Sequence, residues 1–205
     1  AYHDRCMEGV SVLLSDYPMP LAETASIFNE TLLMEKMLET ADDATKLTLI
    51  EQQVGDAAQV VVDILSRYLF ESEVVDRRKE RSLSPRELCE IMLDAQRQTY
   101  GDGLDPDCMH PYMWACKSHY YDTDVHFYNF PYAFGLLFGL GVFARYQRDG
   151  EAFLPEYDRL LRSTGSGNVR EVAAGVGIDV TDREFWRSSV RVLADKVDQL
   201  EKLLG

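Results

Sequence analysis

The sequence predicts an all-α fold, with residues 1–205 forming a single helical region. Apolar residues recur at helical spacing along most of the chain, and the alternation typical of half-buried strands is nearly absent. Helix-start signals precede several of these segments, whereas no repeat of the length used by helical solenoids is present. At 205 residues with 46% hydrophobic content, the chain is long enough to bury a substantial core.

Three helices are predicted in the first third of the chain. The first covers residues 1–16, where apolar side chains share one face, and it ends before Tyr17. The second runs from about 20 to 40, because Pro20 suits the first turn of a helix but not its interior. The third reaches about residue 75, and it has a near-heptad seam typical of a core helix. This seam contains Leu47, Ile50, Val54, Ala57, Val61, Ile64 and Tyr68.

Further helices are predicted in the rest of the chain. A helix that reaches about Thr99 starts with Ser84 as N-cap and Pro85 at the first helical position, and Glu87 at the third position completes a capping box with Ser84. The most apolar run, Phe134–Ala144, is too short to cross a bilayer. It is predicted to be a buried helix whose glycines let another helix approach closely. The remaining helices are expected over Pro111–Tyr121, 150–163, 168–175 and from Asp182 to about Leu204.

Charge and cysteine content narrow the functional classes. There are 21 Lys and Arg against 35 Asp and Glu, which gives a net charge of −14. This acidity argues against nucleic-acid binding, which needs clustered cations, and it disfavours an anionic membrane surface. The four cysteines form no Cys-x-x-Cys pair, so a disulfide framework is not expected and a cytoplasmic location is the default.

Two carboxylates share one stripe of the second predicted helix. Glu23 and Glu30 are seven residues apart, and Ser26 and Ile27 lie between them on the same face. A carboxylate beside apolar neighbours costs free energy unless a cation, a metal or a donor compensates it. Read from the residues alone, the stripe is either a solvated acidic face or part of a site.

A segment rich in aromatic residues is the second candidate site. It runs from His119 to Tyr132 and contains six aromatic side chains and a second imidazole, His126. Tyrosine hydroxyls and histidine N–H groups are donors that can hold an oxyanion or a peptide carbonyl. An aromatic packing cluster would have the same composition, so both interpretations stay open at this point.

Several motifs, in order, resemble one family. Residues 21–30, Leu21-Ala-Glu-Thr-Ala-Ser-Ile-Phe-Asn-Glu30, resemble a segment of the oligoendopeptidase F-like zinc metallopeptidases, which are relatives of thimet oligopeptidase. In that family the segment follows the zinc helix. The family's His-Phe-Tyr and Phe-Tyr-x-x-x-Tyr-Ala-x-Gly pattern resembles His119-Tyr-Tyr and Phe127-Tyr-Asn-Phe-Pro-Tyr-Ala-Phe-Gly135. Its closing motif is similar to Asp179–Trp186, so the resemblance covers nearly the whole chain.

The resemblance implies that part of the active site is missing from this chain. In the family a His-Glu-x-x-His zinc helix is followed by Ala-Tyr-His, which here is Ala1–His3. No histidine in the chain is followed by Glu, and none has a second His four residues later. The expected reading is a C-terminal part of a metallopeptidase catalytic domain, without two His ligands and the general-base Glu, and inactive alone.

The resemblance also implies roles for individual residues. Glu23 corresponds to the third zinc ligand, and Glu30 to an acceptor that orients a ligand histidine. His119, Tyr128 and Tyr132 correspond to groups that hydrogen-bond the substrate backbone and the tetrahedral oxyanion. The stretch between His119 and Phe127 is about three residues longer than in common family members, which leaves His126 as a rival for the role of His119.

The function expected from this resemblance is zinc-dependent hydrolysis of short peptides, with the missing N-terminal part of the same enzyme as partner. The alternative is a non-catalytic helical domain whose aromatic cluster binds a peptide or a protein partner. A ferritin-like carboxylate–histidine metal protein is a weaker alternative, because it needs Glu-x-x-His pairs and the sequence has none.

Overall fold

The computed structural model describes residues 1–124 and 126–205, and across these residues it is helical without strands. The expectation of an all-α fold is therefore confirmed. The α-helices are, in chain order, α1 (Tyr2–Cys6), α2 (Met19–Ala22), α3 (Thr24–Thr40), α4 (Asp43–Ala58), α5 (Ile64–Arg78), α6 (Pro85–Tyr100), α7 (Phe130–Asp149), α8 (Leu154–Arg162), α9 (Val169–Ala174) and α10 (Arg183–Leu204).

Shorter helical pieces connect these helices. A π-helical segment, Gln59–Asp63, follows α4 and leads into α5. Single 3₁₀ turns make up the other pieces, which are Val12–Leu14, Pro106–Cys108, Met113–Cys116, Ser118–Tyr120 and Gly150–Phe153.

The chain divides into two compact units. The first contains Ala1–Gly55 and Phe134–Gly205, and the second contains Asp56–Ala133. Each unit is described below by itself. The expectation of one domain over residues 1–205 stays a prediction.

The first unit has a core of aromatic and aliphatic side chains from α3, α7 and α8. Phe28 stacks on Tyr157 with 4.2 Å between ring centroids and meets Phe143 edge-on at 6.1 Å. Burial of the Tyr157 hydroxyl is the main cause that raises the pKa of this side chain far above its usual range. Fully buried neighbours complete the core, among them Leu21, Phe138, Val142, Leu160 and Leu161.

Glycines in α7 allow other helices to approach it closely, as the sequence predicted. A Cβ added at Gly139 would lie 2.6 Å from Ile27 Cγ2, and one at Gly141 would lie 2.5 Å from Phe185 Cζ. Contacts this short do not occur between real atoms. The side chains of Ile27 on α3 and Phe185 on α10 therefore occupy the space that larger residues would need.

The second unit is built on α5 and α6. Phe70, Ile91, Met92 and Ala95 form its buried apolar cluster. The predicted capping box at the start of α6 is confirmed, because Ser84 Oγ accepts from Glu87 N and Glu87 Oε2 accepts from Ser84 N at 2.9 Å. The hydrogen-bonded ion pair with Arg81, followed by these bonds to Ser84, lowers the pKa of the Glu87 carboxyl to about 2.

Two predicted helices are wrong. The helix expected over residues 1–16 stops at Cys6, because Gly9 adopts φ +78° and the chain turns there. Leu13 and Leu14, two residues of the predicted apolar face, are consequently 87% and 42% exposed rather than buried. Instead of an α-helix over Pro111–Tyr121 there are two 3₁₀ turns, interrupted by extended backbone at Lys117.

In the part of the chain that the structure describes, no helix combines the length and the apolar character needed to cross a bilayer.

Candidate functional site

Glu23 lies at the turn between α2 and α3 in the first unit, where it caps both helices. Its carbonyl oxygen accepts from Ile27 N at 2.9 Å, which starts the hydrogen-bond ladder of α3. The side chain is exposed, and its Oε2 accepts from Ser26 Oγ at 2.7 Å. This bond fixes one carboxylate oxygen relative to the helix. The close spacing of Glu23 and Ser26 on the predicted stripe therefore exists.

A glycine of α7 lies directly beside Glu23. A Cβ added at Gly135 would be 3.2 Å from Glu23 Cβ and 3.8 Å from the carbonyl oxygen of Pro20. The 3.2 Å distance is tighter than most real contacts, so with a larger residue at position 135 the Glu23 side chain would have to move by a few tenths of an ångström. Gly135, the last residue of the aromatic motif, thus has a packing role next to the predicted metal ligand.

Glu30 lies on α3, seven residues after Glu23, and its side chain is also exposed. Both carboxylates of the predicted stripe therefore lie at the surface of the first unit. The neighbouring positions Ala25 and Phe28, in contrast, are buried in the core. Exposure is what a solvated acidic face and an open ligand site have in common, so it favours neither interpretation.

In the second unit, His119, Tyr128 and Tyr132 form a cluster. His119 Nε2 and the Tyr132 hydroxyl are 3.1 Å apart, within hydrogen-bond distance. The imidazole centroid lies 5.7 Å from the Tyr128 ring and 6.0 Å from the Tyr132 ring, and the two tyrosines are 5.6 Å apart. All three side chains are partly buried. The structure therefore brings together three of the predicted donors.

The second ring nitrogen of His119 is unusual. Nδ1 is buried, and among the described residues it has no hydrogen-bond partner. A buried polar atom without a partner costs free energy and is found where a ligand, water or ion can satisfy it. His119 therefore has one nitrogen committed to Tyr132 and one that is available.

His126 is in a different position from His119. Its side chain is exposed, and it lines an open cleft of about 430 Å³. The walls of this cleft include Glu71 and Arg78 from α5 and Lys79 just after it, with His119 and Asp122. The hydrogen bond to Tyr132 and the ring contacts with Tyr128 and Tyr132 belong to His119, which is the geometric difference between the two candidate histidines.

The segment that contains His119 is attached to α5 at two points. Near one end, the Tyr120 hydroxyl donates to the carbonyl oxygen of Arg67 at 3.1 Å, and its ring packs edge-on against Phe70 at 5.1 Å. At the other end, Glu71 Oε1 accepts from Phe127 N and Glu71 Oε2 accepts from Asn129 Nδ2, both at 2.9 Å. Burial, followed by the charge of Glu71, raises the pKa of Tyr120 far above its usual range.

A buried ionic network lies next to the contact between Tyr120 and Arg67. Arg67 pairs with Asp63, whose other carboxylate oxygen accepts from the Tyr100 hydroxyl at 2.7 Å. Burial and this hydrogen bond raise the pKa of Tyr100. The network joins α5 and α6 to the π-helical segment, a type of helical irregularity that is common near functional sites.

Within residues 1–124 and 126–205, no group of three His, Cys, Asp or Glu side chains is arranged to hold a metal ion. Glu23 is exposed with one oxygen bonded to a hydroxyl donor, a chemistry that suits one carboxylate ligand of a larger set. Glu23 is therefore suited to supply one of the ligands of a zinc ion.

The described residues are all-helical, with exposed carboxylates at Glu23 and Glu30 in the first unit and a His/Tyr cluster in the second. A model of peptidase family M3 matches residues 8–192, and the chain belongs to this family. The predicted resemblance to oligoendopeptidase F-like peptidases is confirmed.

Relatives of known name and structure agree with this assignment. The chain is 24% identical over 191 residues to Oligopeptidase PepF of Bacillus subtilis, covering 92% of the chain and 28% of the relative. It is 24% identical over 199 residues to an Oligoendopeptidase F homolog of Lactococcus lactis, covering 96% and 33%. The chain thus spans about a third of the length of the curated relatives that it matches.

Two solved structures share the fold. Oligoendopeptidase-F from Enterococcus faecium has a TM-score of 0.81 and 21% identity, over 99% of this chain and 38% of that one. A chain from Chlamydophila abortus has a TM-score of 0.88 and 24% identity, over 98% and 34%.

Sequence reasoning missed Glu71 and Asn129. Both are buried polar residues, 9% and 1% exposed, bonded to each other across 58 positions of sequence. Asn129 lies inside the recognised aromatic motif, which could have drawn attention to it. Glu71 follows the apolar seam of the third predicted helix and has no local signal that separates it from a surface glutamate.

Proposed function

We propose that this chain is part of a zinc-dependent oligoendopeptidase that hydrolyses peptide bonds in short peptides. The observation that carries the proposal is the match to peptidase family M3 over residues 8–192. The names of the relatives support the peptidase class, and the cluster around His119 supplies suitable donors.

Glu23 is proposed as the carboxylate ligand of the zinc ion. A catalytic zinc site commonly has three protein ligands from His and Glu and one position for water. When bound, zinc lowers the pKa of that water and polarises a carbonyl oxygen. The hydroxyl of Ser26 holds Oε2 of Glu23, which supports a fixed ligand orientation. Glu30 is proposed to accept a hydrogen bond from a ligand histidine and so to orient it.

His119, Tyr128 and Tyr132 are proposed as the donors that hold the peptide and the oxyanion. Negative charge develops on the carbonyl oxygen during hydrolysis, and preorganised donors stabilise it. The bond between His119 and Tyr132 supports this role, because it fixes two donors in one arrangement before the substrate binds. His126, at the open cleft, is the alternative to His119.

The remaining ligands and the general base are proposed to come from the rest of the enzyme, whose relatives are about three times as long. This chain alone is accordingly proposed to be inactive and to bind no stoichiometric zinc, because a single carboxylate does not hold zinc tightly. Free cysteines among the described residues are consistent with the proposed cytoplasmic location.

The test is the zinc content of the full-length protein with Glu23→Gln. Loss of a direct ligand is expected to weaken zinc binding by at least about 100-fold, beyond the range typical for residues behind the ligands. Peptide hydrolysis should fall with it. Zinc per protein after dialysis, measured by atomic emission, and cleavage of a fluorogenic peptide are the readouts.

The matched control is Glu39→Gln on the same helix, an exposed glutamate that pairs with Lys36. It is expected to leave zinc content and hydrolysis unchanged. Glu30→Gln should lower zinc affinity by roughly 10- to 100-fold. Unchanged zinc content in Glu23→Gln would contradict the ligand role and favour the alternative function, a non-catalytic peptide-binding domain.

A further inference from the structure

We infer that Glu71 is a positioning residue, whose buried carboxylate binds the backbone N–H of Phe127 and the side-chain amide of Asn129 and thereby holds Tyr128 against His119. The inference rests on the proposed function of these two side chains in peptide hydrolysis. It adds a residue that lies on a different helix and outside every motif of the sequence.

Both oxygens of the Glu71 carboxylate are used on one short segment. Oε1 accepts from the backbone N–H of Phe127 and Oε2 accepts from the side-chain amide of Asn129, each at 2.9 Å. These donors flank Tyr128 on either side, and Glu71 is only 9% exposed. A buried carboxylate is tolerated only where donors compensate its charge. The two bonds therefore compensate the buried charge of Glu71, and that charge in turn strengthens both bonds.

The backbone of this segment is strained. Phe127 adopts φ +55°, a left-handed conformation that is uncommon for a residue other than glycine and costs free energy. Such a conformation persists where the surroundings fix it. The bond from Phe127 N to Glu71 and the contact of its ring with Tyr68, 6.3 Å between centroids, are two constraints that do so.

The opposite end of the segment is fixed on the same face of α5. The Tyr120 hydroxyl donates to the carbonyl oxygen of Arg67, four residues before Glu71 and therefore one turn away on the helix. His119 precedes the anchored Tyr120, and Tyr128 follows the anchored Phe127. The ring centroids of His119 and Tyr128 are 5.7 Å apart. One helical turn thus sets the distance between two proposed catalytic groups.

An amide cannot replace the carboxylate in this geometry. A glutamine at position 71 has one acceptor oxygen, and its NH₂ group would face one of the two donors. One bond would be lost and a donor would point at a donor. In contrast, Glu73 lies on the exposed side of α5 and pairs with Arg77, so Glu73→Gln removes the same charge without touching the segment.

The experiment compares E71Q with E73Q in the full-length, zinc-loaded protein. Hydrogen–deuterium exchange at the Phe127 amide is the structural readout, and exchange in E71Q is expected to be at least about tenfold faster because the bonded acceptor is lost. Peptide hydrolysis should show kcat at least about tenfold lower with a smaller change in KM, because the donors act in the transition state. E73Q should match the parent protein in both.

A second variant covers the case in which E71Q does not fold. N129A keeps the bond from Phe127 to Glu71 and removes only the other one, so a smaller effect in the same direction is expected. Unchanged exchange at Phe127 in the folded variant would overturn the inference, as would faster exchange with unchanged kcat. Failure of the proposed function is read separately, from unchanged zinc content in Glu23→Gln.

Discussion

The hydrogen bond between His119 and Tyr132 is the contact on which the proposed chemistry depends at the scale of single residues. It commits Nε2 of the imidazole and leaves the buried Nδ1 without a partner among the described residues. The sequence could not choose between His119 and His126, because both lie within a few residues of the aromatic motif. The structure associates the tyrosines with His119 and leaves His126 exposed at the cleft.

Removal of one hydroxyl tests the donor role of Tyr132. Tyr132→Phe in the full-length enzyme is expected to lower kcat for a peptide substrate by roughly 100-fold, the loss typical of one oxyanion donor, with little change in KM. Steady-state kinetics measure both values.

The control is Tyr121→Phe, at an exposed tyrosine whose hydroxyl donates to the carbonyl oxygen of Ala115 over a long 3.5 Å. It should leave kcat unchanged. A Tyr132→Phe variant as active as the parent would remove Tyr132 from the proposed machinery, and the bond to His119 would then be structural.

At the scale of secondary-structure elements, α7 depends most on small residues. Gly135 lies beside Glu23, Gly139 beside Ile27 and Gly141 beside Phe185. The sequence predicted that these glycines allow close approach of a helix, but it could not say which helix approaches at each one. One of the helices that approach α7 is α3, which starts directly after the predicted metal ligand Glu23.

Gly139→Ala is expected to destabilise the protein. The added Cβ would lie 2.6 Å from Ile27 Cγ2 and 2.7 Å from Ile27 Cβ, so α3 or α7 must shift. Overpacking of this kind costs roughly 1–3 kcal/mol of the free energy of unfolding. Urea denaturation followed by circular dichroism measures the change.

Gly55→Ala in α4 serves as the comparison, because a Cβ there meets no atom within 4 Å. It should stabilise the protein by about 0.5–1 kcal/mol through helix propensity alone. Equal effects of the two substitutions, in sign and size, would mean that α7 does not approach α3 as closely as described.

At the scale of the whole molecule, charge and burial determine how stability depends on pH. The chain has a net charge of −14, and such an excess opposes compaction through self-repulsion. Against this background, His3 is a buried histidine in the first unit. Its Nε2 lies 3.1 Å from the carbonyl oxygen of Leu161 and 2.9 Å from Thr164 Oγ1, and its ring stacks on Tyr17.

Burial lowers the pKa of His3 below its ordinary value of 6.5, against the opposing effect of the bond to Leu161. Below pH 6.5 the unfolded chain therefore binds more protons at this site than the folded chain. The contribution of neutral His3 to stability is complete above that pH and is lost as the pH falls from 6.5 towards the folded pKa.

We expect His3→Gln to lose less stability than the parent protein between pH 7 and about pH 5, as measured by urea denaturation at each pH. The comparison uses the slope with pH, because the substitution also removes hydrogen bonds. A parental slope in His3→Gln would show that His3 is not the group responsible.

The sequence by itself determined the features that arise from local chemistry. The capping box at Ser84 and Glu87 joins groups three residues apart, and the apolar helix around Gly139 is defined by its own composition. The all-α fold and the family follow from such segments in order. The prediction of a helix over residues 1–16 was wrong, because the left-handed turn at Gly9 overrides the helical spacing of the apolar residues.

Tertiary structure decided what depends on residues far apart in the chain. Glu71 meets Phe127 and Asn129 across 56 and 58 positions, and no periodicity or motif encodes that meeting. The same holds for the partnership of His119 with Tyr132, which requires the intervening segment to fold back. A hydrogen bond needs two atoms about 3 Å apart, and for distant residues only the packed fold provides that distance.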